Sequence, residues 1–333
     1  MSELSTTTGA TLPAGPTQSP MVSIIIPAFN AAEYIGDALR SVSAQTFTDH
    51  EVIAINDGSP DTEDLERELK QYHRNLVYIK QENRGAAVAR NAGLRAASGE
   101  LVAFLDADDK WSPEFLEKQI EFLQRSKADL VYADALLTGE SLVAGRTFMQ
   151  LQPSRGPVTV EKLLTSEVTV LTSTVVARKQ PILAAGLFDE TLRRGQDFDL
   201  WLRLAKRGAR LAYQREVLGE HRIVESGLSG DTLSQLQRTL TVLERIKAKG
   251  ELTASEEAAL QRSLNSTMSV VALENGKERL RERDFEGALE SLNEAQQYRQ
   301  SWKVSLACLG LRIAPELVWR IYTRRAVPSR NYS

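Results

Sequence analysis

Short aliphatic and β-branched runs alternate with amphipathic stretches over residues 22–130 of the chain. Residues 22–26, Val-Ser-Ile-Ile-Ile closed by Pro27, are too short for a helix and apolar on both faces, the pattern of a buried strand. Asn30 stands where a helix cap belongs, with Glu33 three residues on in the capping-box position. Residues 51–55 predict a second strand, Asn56-Asp57-Gly58-Ser59-Pro60 a turn, and 62–72 a charged helix. Residues 76–79 predict a third strand, the Ala-rich stretch 85–97 a helix ending at Ser98-Gly99, and 101–105 a fourth strand. Ser112-Pro113-Glu114 opens a further helix with proline just inside its cap. Strands alternating with helices imply an α/β fold with a parallel sheet and helices on both faces. Ligands of such sheets bind at the carboxyl ends of the strands. That rule singles out Pro27 and Asn30, Asp57, and the run from Asp106 to Asp109.

After residue 232 the period changes. Leu236, Leu240, Leu243 and Ile246 recur at helical spacing, and no strand pattern follows. Residues 280–298 read as a helical hairpin with Phe285, Ala288, Leu289 and Leu292 on one side. The hairpin faintly resembles a tetratricopeptide unit but lacks the repeated period of an array. Residues 1–20, rich in Ser, Thr, Gly and Pro, read as a disordered tail. The expected division is therefore 1–20 as tail, 21–230 as the α/β part and 231–333 as an all-helical C-terminal region.

Composition excludes more than it specifies. With 333 residues, 42% hydrophobic and 26% charged, the chain has the make-up of a soluble globular protein of about two domains. The 41 Lys and Arg against 44 Asp and Glu give a net charge of −3, without the basic excess of a nucleic-acid binder. Cys308, the single cysteine, cannot form an intramolecular disulfide and points to a reducing compartment. No apolar run approaches the roughly 20 residues of a membrane-crossing helix. Residues 1–20 show neither the basic nor the apolar region of a signal peptide.

Chemistry concentrates at the strand ends. Asp106-Ala107-Asp108-Asp109 places three carboxylates within four positions, a cluster that calls for a hard divalent cation such as Mg²⁺ or Mn²⁺ held with substrate phosphates. A solvated acidic turn capping the next helix is the bland alternative. Asp57 lies on the same rim, in a turn where Asp is also common for purely local reasons. Arg84-Gly85 opens the Ala-rich helix, with Arg90 and Asn91 further along. A helix start with glycine and arginine suits a phosphate or nucleotide edge, and equally an ordinary surface arginine. Neither Gly-x-Gly-x-x-Gly after the first strand nor a Walker loop is present.

Taken in order, VSIIIPAFN (22–30), VIAINDGSPD (52–61), NRGAAVARNAGL (83–94), FLDADDKW (104–111), GLFDE (186–190) and QDFDLWLRL (196–204) resemble the family 2 glycosyltransferases with the GT-A fold. The resemblance covers roughly residues 20–230. It implies a mostly parallel, Rossmann-like sheet. It implies also an inverting, metal-dependent transfer of a sugar from a nucleotide-diphosphate donor, UDP-linked, to a hydroxyl of a glycan or lipid-linked acceptor in surface or extracellular polysaccharide synthesis. On that resemblance Pro27, Asn30, Asp57 and Arg84 border the nucleotide, with Asp57 on the nucleoside. Asp106 and Asp108 are the two acids of the DxD motif, holding ribose and the metal, and Asp109 reaches the donor sugar. Asp197 takes the place of the family's catalytic base, with Asp199 its nearest competitor; a plain helix cap is the bland alternative for Asp197.

Two departures stand out. The acid before the family's base is an amide here, in Gln196-Asp197, which is expected to alter sugar contacts rather than abolish chemistry. His221, in Glu220-His221-Arg222-Ile223, is the candidate third metal ligand, though Ser229 lies further off than the family's loop has it. No Gln-x-x-Arg-Trp motif is present, which disfavours a processive synthase. Residues 301–333 carry Lys303, Arg312, Arg320, Arg324, Arg325 and Arg330 against Glu316 alone, interleaved with apolar residues. This end reads either as a membrane-surface helix or as a helix packed on the rest of the molecule. The expected location is cytoplasmic, with peripheral contact at the inner face of the membrane under the first reading. A sugar-phosphate nucleotidyltransferase is the enzymatic rival, opposed by Pro27-Ala28-Phe29-Asn30 where such enzymes carry a Gly-rich basic loop. A degenerate, non-catalytic scaffold is the other rival, opposed by the joint presence of Asp57, Asp106, Asp108 and Asp197.

Overall fold

The computed structural model describes residues 19–72, 75–223 and 232–326. The expected tail up to residue 18, the division near 230, Ser229 and Arg330 lie outside the described residues. The chain runs β1 (Val22–Ala28), α1 (Ala32–Ser43), β2 (His50–Asp57), α2 (Thr62–Leu69), β3 (Leu76–Gln81), α3 (Ala86–Ala96), β4 (Leu101–Phe104), β5 (Lys110–Trp111), α4 (Phe115–Ser126) and β6 (Leu130–Thr138). It continues through α5 (Phe148–Leu151), α6 (Val160–Leu164), a 3₁₀ turn at Thr172–Thr174, β7 (Val176–Arg178), α7 (Lys179–Ala184), α8 (Gln196–Lys206) and β8 (Leu211–Arg222). Helices complete it: α9 (Thr232–Lys249), α10 (Ala254–Arg281), α11 (Phe285–Tyr298), α12 (Trp302–Ile313) and α13 (Pro315–Ala326).

Among the described residues eight strands form one sheet in the order β3-β2-β1-β4-β7-β6-β8-β5. The four strands expected from the sequence pair in parallel. The sheet then turns mixed, because β7 enters antiparallel to both β4 and β6, while β6 and β8 are parallel. Period-two alternation explains the all-apolar strands. Ile24 and Ile26, Val52 and Ala54, and Leu101 and Ala103 face one core, beneath α1, α2 and α4. Ile25, Ile53, Ile55, Val102 and Phe104 face the other, beneath α3 and α8. Gly93 lets α3 sit this low, since a Cβ there would lie 2.6 Å from Ile25 Cγ2.

The second core does not stop with the strands. Val242, Leu243 and Ile246 of α9 and Ala259, Leu260 and Leu264 of α10 join Leu200 and Trp201 in it. Helix α8 is held from both ends by this region: its cap Gly195 abuts Val242, and Lys206 donates to the Glu251 carbonyl and pairs with Glu256 at 3.2 Å. The expected hairpin over 280–298 is the turn from α10 into α11, capped by Asp284, which accepts from Gly287 N–H at 2.9 Å. A smaller cluster of Leu280, Ala288, Leu292, Cys308 and Leu311 joins these helices to α12.

Two local expectations are corrected. Asn30 does not cap α1. It adopts a left-handed backbone (φ 51°), and Ala31 is the cap residue. The amide of Ala32 is instead satisfied from across the rim by Asp61 Oδ2 at 2.8 Å, so a tertiary acceptor does what the local pattern assigned to a neighbour. Helix α4 starts after Glu114 as its cap, so Pro113 precedes the cap rather than following it.

Candidate active site

The carboxyl ends of β1, β2 and β4 meet on one rim, as the topology requires. Asp57 ends β2 and is buried. Its Oδ1 accepts from Gln81 Nε2 at 2.7 Å and from the Arg84 amide at 3.0 Å, and its Oδ2 from the Gly85 amide at 2.8 Å. The positive end of α3 is thereby neutralised by Asp57, and the wall formed by residues 83–85 is fixed in place. The anion site expected at this helix start is already filled by the protein's own carboxylate. Arg84 has an exposed side chain, with Nη2 3.7 Å from Glu190 Oε2. Asn30 donates its amide to Ser59 Oγ at 2.6 Å, which docks the loop after Pro27 on the loop after β2.

The acidic run divides into three different environments. The Asp106 carboxylate accepts from the buried Arg90 guanidinium at 2.6 Å, and its backbone amide donates to Ser173 Oγ at 3.0 Å. Burial opposes the Asp106 charge, but Arg90 outweighs it and holds the carboxyl below the usual range. Asp109, also buried, accepts from His221 Nδ1 at 2.9 Å and from the Arg222 amide at 2.8 Å. The antiparallel clasp of β5 on β8, Lys110 opposite Glu220, sets these groups side by side. Burial resists the imidazolium, yet the Asp109 partner and the neighbouring carboxylates raise His221 to about 9. Asp108 enters none of the ion pairs among the described residues. Burial, then Asp109 and Asp106, push it up to about 7.

That deficit tests the expected metal. Among the described residues no three His, Cys, Asp or Glu side chains form a ready cage. Asp106 and Asp109 are each matched by a cation, and His221 has Nδ1 engaged. Of the acidic run, Asp108 alone enters no ion pair among the described residues, and a hard divalent ion that takes its other ligands from water and a diphosphate fits it.

Asp197 lies in the first turn of α8. Its Oδ2 accepts from Thr172 Oγ1 at 3.0 Å and its Oδ1 from the Phe198 amide at 2.8 Å. The single 3₁₀ turn Thr172–Thr174 therefore holds Asp197 through Thr172 and the Asp106 backbone through Ser173. Arg90 feels both carboxylates: burial works against its charge, while Asp106 and then Asp197 sustain it. Asp199, the competitor, is bound to Arg203 at 2.7 Å, and Arg203 in turn donates to the carbonyls of Ala185 and Leu187. Asp199 braces the 185–187 loop against α8. Gln196 is buried, and its Oε1 has no protein partner among the described residues.

The structure thus gathers Asp106, Asp108, Asp109, His221 and Asp197 around Arg90 and the Thr172–Thr174 turn. Along the same rim Arg84 donates its amide to Asp57, Asn30 donates its amide to Ser59 just after β2, and Pro27 pairs with Ile55 in the sheet. Thr172 and Ser173 escaped the sequence reading because nothing local marks them. A buried arginine in an Ala-rich helix was the available signal for Arg90.

The description "Glycosyl transferase family 2" fits residues 23–176. TuaG of Bacillus subtilis strain 168, provisionally named a teichuronic acid biosynthesis glycosyltransferase, is 34% identical over 236 residues, 68% of this chain and 89% of TuaG. The chain belongs to glycosyltransferase family 2. A further relative, the uncharacterized glycosyltransferase RT0329 of Rickettsia typhi, is 30% identical over 265 residues, 77% of this chain and 80% of the relative. Among solved structures, S. aureus TarS 1–349 in complex with UDP-GlcNAc superposes with a TM-score of 0.61 at 19% identity, covering 93% of each chain. The mannosyltransferase PcManGT of Pyrobaculum calidifontis, in complex with GDP-Man and Mn²⁺, gives 0.61 at 18% identity, covering 92% of this chain and 84% of its own. The fold is GT-A, a family 2 enzyme acting on a nucleotide sugar, and the nucleotidyltransferase reading falls away. No described helix is long and apolar enough to cross a membrane.

Proposed function

We propose that this family 2 enzyme transfers single sugars, with inversion, from a UDP-sugar to a hydroxyl of a glycan or lipid-linked acceptor in surface polysaccharide synthesis, at the cytoplasmic side of the membrane. The observation carrying the proposal is that one short turn fixes both Asp106 and Asp197, with Arg90 between them. Inversion by direct displacement needs two functions on opposite sides of the anomeric carbon: a base for the acceptor proton and positive charge for the leaving diphosphate. Asp197 takes the proton as the acceptor oxygen bonds to the anomeric carbon and the carbon–oxygen bond to the diphosphate breaks, its electron pair leaving with the phosphate. Thr172 holds that carboxylate toward the reacting centre. A divalent ion bound at Asp108 would supply countercharge to the departing diphosphate. Asp106 orients donor hydroxyls, and Asp109, buried against His221 and the Arg222 amide, braces the floor of the site rather than reaching the sugar. Asp57 keeps one acceptor position free on the nucleoside wall, which suits an N–H edge such as that of uracil. The name of TuaG and the UDP-GlcNAc bound to TarS support a UDP donor and a cell-surface product.

Thermal-shift titration with nucleoside diphosphates, with and without Mn²⁺, tests the donor. A ligand at a hundredfold excess over Kd stabilises by about 2.7 kcal/mol. A Mn²⁺-dependent shift with UDP, lost in Asp108→Ala, is expected. A response to a different diphosphate overturns the donor assignment, and no response to any moves the scaffold reading forward.

A further inference from the structure

The last two helices are amphipathic in an unusual sense: each has one apolar side packed and a second one open. Cys308 and Leu311 of α12 are buried against Leu280, Ala288 and Leu292, and Val318, Trp319 and Tyr322 of α13 pack on the same cluster. The Arg283 guanidinium covers Trp319 at 4.6 Å, and Arg281 covers Tyr322 at 5.7 Å. On the other side Trp302, Leu306, Leu309 and Ile313 are exposed by 73, 60, 53 and 74%, followed by Leu317 and Ile321 at 57 and 48%. The spacing of four, three and four residues is a single stripe along α12. Half of the large exposed apolar side chains among the described residues lie in this stretch. Isolated exposed leucines need no explanation, but a continuous stripe does.

Charge says what covers it. Residues 301–333 hold six basic residues and one acid in a chain whose net charge is −3. That acid, Glu316, is paired with Arg283. Lys303, Arg312 and Arg320 are exposed, and none of them enters an ion pair among the described residues. A second copy of the chain, meeting the patch with the same patch, would oppose these like charges. An anionic lipid surface answers both features at once, taking the apolar stripe between acyl chains and the bases among headgroups.

We infer that α12 and α13 form a membrane-surface contact, lying flat on an anionic bilayer with Trp302, Leu306, Leu309 and Ile313 inserted. This inference is independent of the donor sugar and of the catalytic assignments.

Co-sedimentation of the full chain with vesicles tests it, comparing phosphatidylcholine alone with phosphatidylcholine containing phosphatidylglycerol. Binding is expected only to the phosphatidylglycerol vesicles, weakening as salt is raised. Each base near the surface is worth about fivefold in partitioning, so Lys303→Gln, Arg312→Gln and Arg320→Gln together reduce binding by on the order of a hundredfold. Leu306→Ser with Ile313→Ser removes insertion at exposed positions where folding is spared, which an unchanged melting curve verifies. Failure of the wild type to sediment with phosphatidylglycerol vesicles overturns the inference, as does binding indifferent to both variants. A dimer in vesicle-free solution that the Leu306/Ile313 variant dissolves also overturns it, assigning the stripe to self-association instead.

Discussion

At the scale of single residues, three neighbouring aspartates of one composition do three different things. Asp106 is matched by Arg90 and Asp109 by His221, which leaves Asp108 carrying the cluster's unneutralised charge. Its folded pKa, about 7, lies above the roughly 3.9 of an unfolded aspartate, so its ionisation weakens the fold increasingly between those values. Asp108→Asn is therefore expected to raise the melting temperature of the metal-free protein at pH 8, to have no such effect near pH 4, and to abolish any Mn²⁺ response. His221 has the opposite sign. Raised to about 9 from an ordinary value near 6.5, it contributes stability that is complete below 6.5 and lost as pH climbs through 9. Melting curves of His221→Gln in chelator should lie furthest below wild type in acid and converge on it in alkali. For Asp197→Asn, loss of a positioned base is expected to cost about 10²–10⁴-fold in kcat, with nucleotide binding kept. Wild-type turnover in that variant would remove Asp197 from the chemistry. Gln196→Glu replaces a buried amide whose Oε1 has no partner among the described residues. The added carboxylate should ionise above its usual value, so the variant melts lower at pH 8 than at pH 5 relative to wild type.

Elements explain what was legible beforehand and what was not. Strands β1, β2 and β4 announce themselves because both faces are buried, and the edge strand β3, half-buried to exposed, by its short apolar run between two helices. The rim residues Asp57, Asp106, Asp108 and Asp109 follow from that register. Strand β8 is different: it is buried only at Leu211, Gln214, Leu218 and Gly219 and half-buried or exposed elsewhere, so no alternation betrays it. His221 was therefore placed by its motif rather than by its strand. The Thr172–Thr174 turn is invisible for a deeper reason. Its partners are 67 residues away at Asp106 and 25 away at Asp197, and its meaning exists only once the chain has closed. Asn30 failed as a cap on the same ground, because Asp61 supplied the acceptor through space. Packing of α3 on the sheet is sharper than composition suggests. Gly93→Ala would force a methyl against Ile25 and is expected to cost about 1–3 kcal/mol in urea unfolding, although alanine is the better helix former.

For the molecule as a whole, the helical region is part of the same interior as the sheet. A chain ending at residue 230 would lose Val242, Leu243, Ile246, Ala259, Leu260 and Leu264 from the core beside α8. Such a truncation is expected to melt far below the full chain or to aggregate, whereas one ending at residue 281 keeps that core and loses the smaller cluster except for Leu280. Light scattering and a melting curve on the two truncations distinguish these outcomes. The grip on α8 at Gly195 and Lys206 has a further consequence for how such enzymes can be recombined. Helix α8 carries Asp197, and its two ends are set by residues from α9 onward. A graft that joins the sheet of one relative to the helices of another at the last strand would move the proposed base with the foreign helices. The seam that leaves the chemistry untouched is the turn between α10 and α11, and everything before it has to be inherited together.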